Sequence, residues 1–108
     1  MTPCSGVIIA LDIGDRRIGV AVSDPTQTLA SPRPAFPNGA NGPKIASRVA
    51  GTEQAILILI GMPYLPSGKK GTQAEHTEEF ISRLSNMTDI PISAIDERMS
   101  SIQASNLL

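Results

Sequence analysis

The sequence predicts an α/β fold, a mixed five-stranded sheet with three antiparallel strands followed by parallel ones, flanked by helices. Three stretches carry that prediction. Val7 to Asp24, VIIALDIGDRRIGVAVSD, reads as strand, tight turn and strand, because two runs rich in β-branched residues are split by Gly14 and Asp15. Ala55 to Ile60 is the most hydrophobic run of the chain, continuous rather than alternating, and suits a central strand covered on both faces. From Thr72 onward, Ala74, Thr77, Phe80, Ile81 and Leu84 recur at helical spacing, and Thr72-x-x-Glu75 resembles a capping box.

The remaining elements follow in chain order. Met1 to Gly6 is a lead-in containing Pro3, the first strand spans Val7 to Asp12, and the second runs from about Arg17 to Ser23. Asp24-Pro25 turns the chain into a short third strand at Thr28 to Ser31, which Pro32 and Pro34 end because they cannot donate to a ladder. These three runs are too close in sequence for a crossover helix, so they pair antiparallel. Pro32 to Pro43 reads as a loop of Pro, Asn and Gly, followed by a helix with Pro43 in its first turn that runs to about Ala50 and stops at Gly51. Gly61-Met62-Pro63 closes the apolar strand, and Tyr64 to Gly71 is a second loop carrying Lys69 and Lys70. After the Thr72 helix, Ile90 to Ile95 alternates like a strand and ends in Asp96-Glu97-Arg98. Ser100-x-x-Gln103 resembles another capping box, opening a helix with Ile102 and Leu107 on its apolar side. The resulting order, βββαβαβα, brings the later strands into the sheet through right-handed crossovers.

With 108 residues the chain can bury one useful core, so residues 1–108 are expected to form a single domain. No apolar run approaches the roughly 20 residues of a membrane span, and the expected location is cytoplasmic. Cys4 and His76 are each the only residue of their type, which excludes an intrachain disulfide and a Cys-based or multi-His metal site. Any metal must therefore be held by carboxylates, which points to Mg²⁺ or Mn²⁺. His76 is read as an exposed helical residue rather than a catalytic base. At a net charge of −1 the molecule exerts no overall pull on nucleic acid, so contact with a polyanion needs a local patch. Phe36, Tyr64 and Phe80 are the only aromatics, too few for a binder built on base stacking.

Asp12 closes an apolar strand, where a carboxylate is costly to bury unless a cation or hydrogen bonds compensate it. Gly14 removes a side chain beside it and clears the backbone for a metal ion or phosphate, and Gly61 does the same at the end of the apolar strand. In open α/β sheets ligands gather beyond the carboxyl ends of the strands, the edge to which Asp12, Gly61, Asp96 and Glu97 all map. Two carboxylates about 4 Å apart repel by roughly 4 kcal/mol at an effective dielectric near 20, and a divalent cation reverses that sign. Such an ion can ionise a water for attack on a phosphodiester. Arg16, Arg17 and Arg98 could grip phosphates bidentately, with Lys69 and Lys70 on a backbone further along. The plainer alternatives are a hairpin in which Asp12 and Gly14 only serve the turn, an Arg98 salt bridge to Asp96 or Glu97, and a solvated lysine loop.

The segments LDIGDRRIGVAVSD (Leu11 to Asp24), LIGMPYLPSGKKGTQAEHTEEFISRL (Leu59 to Leu84) and IDERMSSIQAS (Ile95 to Ser105) resemble, in order and spacing, the three signature regions of the YqgF/RuvX family of pre-16S rRNA nucleases and Holliday-junction resolvase-like proteins. The resemblance implies an RNase H-like fold, a cytoplasmic location, and Mg²⁺- or Mn²⁺-dependent hydrolysis of phosphodiesters in structured RNA or branched DNA, chiefly in 5′ maturation of small-subunit rRNA. By motif position Asp12 is the first catalytic acid and metal ligand and Glu97 the second, with Asp96 beside it. Family members usually continue past the equivalent of Leu108 into a final helix with a third acid. The expectation for this chain is therefore weak metal binding and cleavage that is slow or absent; it is expected to be a monomer or weak homodimer. A rival reading keeps the fold but makes it a non-catalytic RNA-binding or ribosome-assembly module, with RNA affinity insensitive to chelators and to Glu97→Gln. An actin-like ATPase domain ranks last, since the chain is too short for two lobes and has no Gly-rich P-loop.

Overall fold

The computed structural model describes residues 6–63, 67 and 71–96. Its element order is β1 (Val7–Ile13), β2 (Arg17–Ser23), β3 (Ala30–Pro37), α1 (Gly42–Thr52), β4 (Ala55–Met62), α2 (Thr72–Ser85) and β5 (Ile92–Asp96). The expected helix at Ser100, with Ile102 and Leu107, lies outside the described residues. The strands form one five-stranded sheet in the order β3-β2-β1-β4-β5. β1 pairs antiparallel with β2, and β2 with β3, while β4 runs parallel to both β1 and β5. This is the mixed sheet the sequence predicts.

β1 rather than β4 lies at the centre of the sheet, and its alternation sets the two faces. Ile9, Leu11 and Ile13 are buried together with their partners Val22, Val20 and Ile18 on β2, and Ile58 and Ile60 of β4 share that face. Ala46 and Ala50 of α1 and Phe80 and Leu84 of α2 pack on it to form the core. Both helices lie on this one face for a topological reason. From β3 to β4 and from β4 to β5 the chain moves the same way across the sheet, so two right-handed crossovers put both helices on the same side. On β4 the described helices cover one face, and Leu57, on the other, is buried as well. Ala10, Asp12, Gly19, Ala21, Gly61 and Ile95 lie on the face that no described helix covers.

Several element boundaries differ from the sequence expectation. β3 runs from Ala30 to Pro37, through Pro32 and Pro34, where a loop was expected. It is an edge strand, which needs donors only toward β2, so the missing proline N–H groups are tolerated on its outer side. Thr28 instead belongs to the preceding turn, where its backbone N–H donates to Asp24 Oδ1 at 2.9 Å. α1 passes through Gly51 to Thr52, and the chain leaves it through Gln54, whose φ of 57° is left-handed. β4 continues past Ile60 through Gly61 to Met62, and β5 starts after Pro91, whose carbonyl accepts the Ile58 N–H at 2.9 Å. The capping box at Thr72 does not form: Gly71 is the N-cap, and the Glu75 N–H donates to its carbonyl at 3.1 Å. Glu75 is still placed well, as an acid in the first turn of α2.

Candidate active site

Asp12 is the penultimate residue of β1, paired across the hairpin with Gly19 of β2. On the other side its preceding residue, Leu11, is level with Ile60, which places Gly61 beside Asp12. Alternation buries Leu11 and Ile13 under the helices and turns Asp12 outward to the uncovered face, where it is exposed. Both lateral neighbours are therefore glycines. A Cβ built on Gly19 would touch the Asp12 Cβ at 3.5 Å, so any longer side chain there would crowd the carboxylate. Asp12, Gly19, Gly61 and Ile95 line a depression of about 350 Å³ in this face. The Asp12 carboxylate makes no hydrogen bond or ion pair with a described residue. The only salt bridge among the described residues, Arg33 to Glu53 at 2.9 Å, lies elsewhere.

Arg17 is two residues before Gly19 on β2, so it projects to the same face as Asp12, and it is exposed. Arg16 occupies the hairpin turn and is also exposed; its backbone carbonyl accepts the Asn38 N–H at 2.9 Å. Gly14 has a role besides the clearance expected of it. A Cβ there would stand 2.7 Å from the Arg17 carbonyl oxygen, so the turn itself requires glycine. The clearance over the carboxylate is supplied by Gly19 and Gly61.

β1 and β5 end at the same edge of the sheet on either side of β4, so their backbones are about 10 Å apart. Asp96 is the last residue of β5 and pairs with Met62, which is buried and, two residues after Ile60, on the same side of β4 as Ile60. That register puts Asp96 on the helix-covered face, opposite to Asp12, and it is Ile95 that reaches the depression. The backbone convergence expected from the sequence is present, but the Asp12 and Asp96 side chains belong to different faces. Glu97, Arg98, Lys69 and Lys70 lie outside the described residues. His76 is an exposed residue of α2, as expected. It lines a separate cavity of about 400 Å³ with Asp15, Gln73, Glu79 and Arg83, on the other side of the hairpin turn.

Three residues of the site were missed in the sequence. Gly19 could have been found by counting back across the hairpin from Gly14, which sets it against Asp12. Asn38 and Gln73 carry no local signal; Asn38 reaches the turn because β3 ends beside Arg17 of β2, and Gln73 because α2 folds back on the sheet.

The donor chemistry suits a hard cation. An unpartnered carboxylate flanked by two glycines leaves room for an oxygen-liganded ion and its waters, whereas no group of three or more His, Cys, Asp or Glu side chains suited to a metal occurs among the described residues. No described helix is long and apolar enough to cross a membrane.

Comparison with known proteins agrees with this geometry. A family model described as "RuvX: Holliday junction resolvase" matches residues 6–108. A relative from Roseiflexus sp. (strain RS-1), named "Putative pre-16S rRNA nuclease", is 37% identical over 106 residues, covering 95% of this chain and 74% of its own length. The protein of the same name from Chloroflexus aurantiacus (strain ATCC 29366 / DSM 635 / J-10-fl) is 34% identical over 106 residues, covering 94% of this chain and 68% of its own. Among solved structures, Thermus thermophilus RuvC, determined in complex with a Holliday junction substrate, superimposes with a TM-score of 0.62 at 9% identity over 90% of this chain and 68% of that one. Fowlpox virus resolvase, determined with Holliday junction DNA, gives 0.50 at 13% identity, over 93% of this chain and 71% of that one. The sheet order and these two neighbours establish an RNase H-like fold.

Proposed function

Because the chain belongs to the RuvX family, whose curated members carry the name of a nuclease, we propose that it is a Mg²⁺- or Mn²⁺-dependent nuclease that trims the 5′ end of small-subunit rRNA precursors. The observation that carries this reading is Asp12: a free, exposed carboxylate at the end of the middle strand, with a glycine on each neighbouring strand and Arg17 on the same face.

In this reading Asp12 and Glu97 hold the cation, and Asp96, across the sheet, is left out of the set. When bound, such an ion lowers the pKa of a water and offsets the charge that builds on the phosphorus. The protein supplies the rest. Gly19 and Gly61 admit a phosphate close to the sheet surface, and Arg17 and Arg16 offer guanidinium groups that pair with phosphate oxygens in bidentate fashion. Ile95 and the small residues of the sheet face line the depression beside the carboxylate and leave room in it for a phosphate.

The test is cleavage of a 5′-extended small-subunit rRNA precursor and of a four-way DNA junction, each with Mg²⁺, with Mn²⁺ and with EDTA. Metal-dependent cleavage of the RNA that falls at least about a hundredfold in Asp12→Asn and in Glu97→Gln is the expected result. Cleavage of the junction alone would move the substrate to branched DNA. RNA binding that survives EDTA and both substitutions, with no cleavage, would establish the non-catalytic module instead.

A further inference from the structure

The two carbonyls that follow Asp12 are both held by side-chain amides from outside the hairpin. β1 loses β4 as a partner after the Leu11 and Ile60 pair, and two residues further on the Ile13 carbonyl accepts from Gln73 Nε2 of α2 at 2.9 Å. The next carbonyl, that of Gly14, accepts from Asn38 Nδ2 at 2.6 Å. Asn38 also grips the far side of the turn, since its backbone N–H donates to the Arg16 carbonyl at 2.9 Å. The Gly14 N–H closes the loop onto the Arg17 carbonyl at 3.0 Å.

These contacts do not serve the elements that provide them. The N-terminal turn of a helix has spare N–H groups that need acceptors, yet Gln73, in the first turn of α2, uses its side chain as a donor to another element. Nor does the hairpin need them for pairing, because the β1 and β2 ladder already extends to Ile13 and Ile18. What the two amides share is their target, the backbone between Asp12 and Arg17.

We propose that Asn38 and Gln73 are positioning residues for Asp12: by holding the Ile13 and Gly14 carbonyls they fix the backbone between the carboxylate and Arg17, so that both are presented to one ligand without reorganisation. The inference rests on the reading of Asp12 as the metal-holding acid. A ligand whose backbone is free to shift loses part of its binding energy in being ordered, and outer partners of metal ligands change affinity by about tenfold to a hundredfold when removed. Gln73 and Asn38 act through the peptide rather than on the carboxylate, so they hold the site without neutralising it.

The experiment titrates the full chain with Mn²⁺ by calorimetry, comparing the wild type with Asp12→Asn, Gln73→Met and Asn38→Asp. Circular dichroism checks folding, and RNA affinity is measured in EDTA. Gln73→Met and Asn38→Asp are each expected to lower Mn²⁺ affinity by about tenfold or more and, because Arg17 loses the same support, to weaken metal-free RNA binding as well, with the circular dichroism spectrum unchanged. If Asp12→Asn loses Mn²⁺ affinity and both amide variants keep it, the positioning role is overturned while Asp12 stands. If Asp12→Asn binds Mn²⁺ as well as the wild type, the reading of Asp12 fails and takes the positioning role with it. Should the amide variants not fold, hydrogen exchange on the wild type decides: the Gly14 and Asn38 amides must exchange as slowly as those of β1 and β2, and exchange at loop rates overturns the proposal.

Discussion

Gly14 and Gly19 are both small, but for different reasons, and substitution separates them. At Gly14 a methyl group would meet the Arg17 carbonyl oxygen at 2.7 Å, a backbone atom that cannot move without opening the turn. Gly14→Ala is expected to cost about 1–3 kcal/mol in urea unfolding. At Gly19 the same methyl group would make ordinary contact with Asp12, so Gly19→Ala should leave stability within about 1 kcal/mol of wild type. A larger residue such as Gly19→Leu would instead close over the carboxylate, and loss of Mn²⁺ affinity without loss of stability would show it. Asp24 is a different kind of residue, a half-buried acid at the start of the β2 to β3 turn. Its carboxylate accepts the N–H groups of Thr28 and Leu29 and the hydroxyls of Thr26 and Thr28. The Thr28 backbone N–H, followed by the Thr26 hydroxyl, holds its pKa below the ordinary carboxylate value. A depressed pKa means that the folded state favours the charged form, so its stabilising effect is present above the unfolded pKa and fades as pH falls through the folded one. The gap in thermal midpoint between wild type and Asp24→Asn should therefore narrow as the pH is lowered from about 6 to about 3.

The elements show where local sequence signals are reliable and where context overrules them. The apolar runs of β1, β2 and β4 and the helical spacing in α2 were readable because each follows from the period of the element itself. Proline ends a strand that is paired on both sides, which is why Pro32 and Pro34 point to a loop in the sequence. β3 is paired on one side only, and its place at the edge is a property of the whole sheet. Gly51 did not end α1, since a glycine within the last turn costs the helix only about 1 kcal/mol. The actual reversal is at Gln54, in a left-handed conformation that glycine adopts without strain. Gln54→Gly is expected to be neutral to stabilising by up to about 1 kcal/mol, read from the urea midpoint, whereas Gln54→Val should be destabilising.

At the scale of the whole molecule, charge sets the terms for any nucleic-acid contact. With a net charge of −1, affinity must come from a few cations gathered on one face, and Arg16 and Arg17 at the Asp12 edge are the described candidates. The logarithm of RNA affinity should fall linearly with the logarithm of salt concentration. Arg16→Ala and Arg17→Ala should each reduce that slope by about one unit, and unchanged slopes would place the RNA on another surface. The fold adds a second molecular property, a sheet with both described helices on one face and the candidate site on the other. Among the described residues, that separation puts the packed core and the Asp12 carboxylate on opposite faces of the sheet.

The sequence by itself determined β1, β2 and β4, the buried face of α2 and the place of Asp12 as a strand-end acid. Periodicity and residue chemistry are local, and they survive without knowledge of neighbours. The hairpin sets Gly19 against Asp12, and only the tertiary structure decided its other neighbours. Gly19 and Gly61 flank it through strand register, Asp96 turns away from it by one step of alternation, and Asn38 and Gln73 reach the turn behind it from 24 and 60 residues away. Gly61, Asp96 and Gln73 come to the turn through the two crossovers and Asn38 through the pairing of β3 with β2, arrangements that no single stretch of the chain encodes.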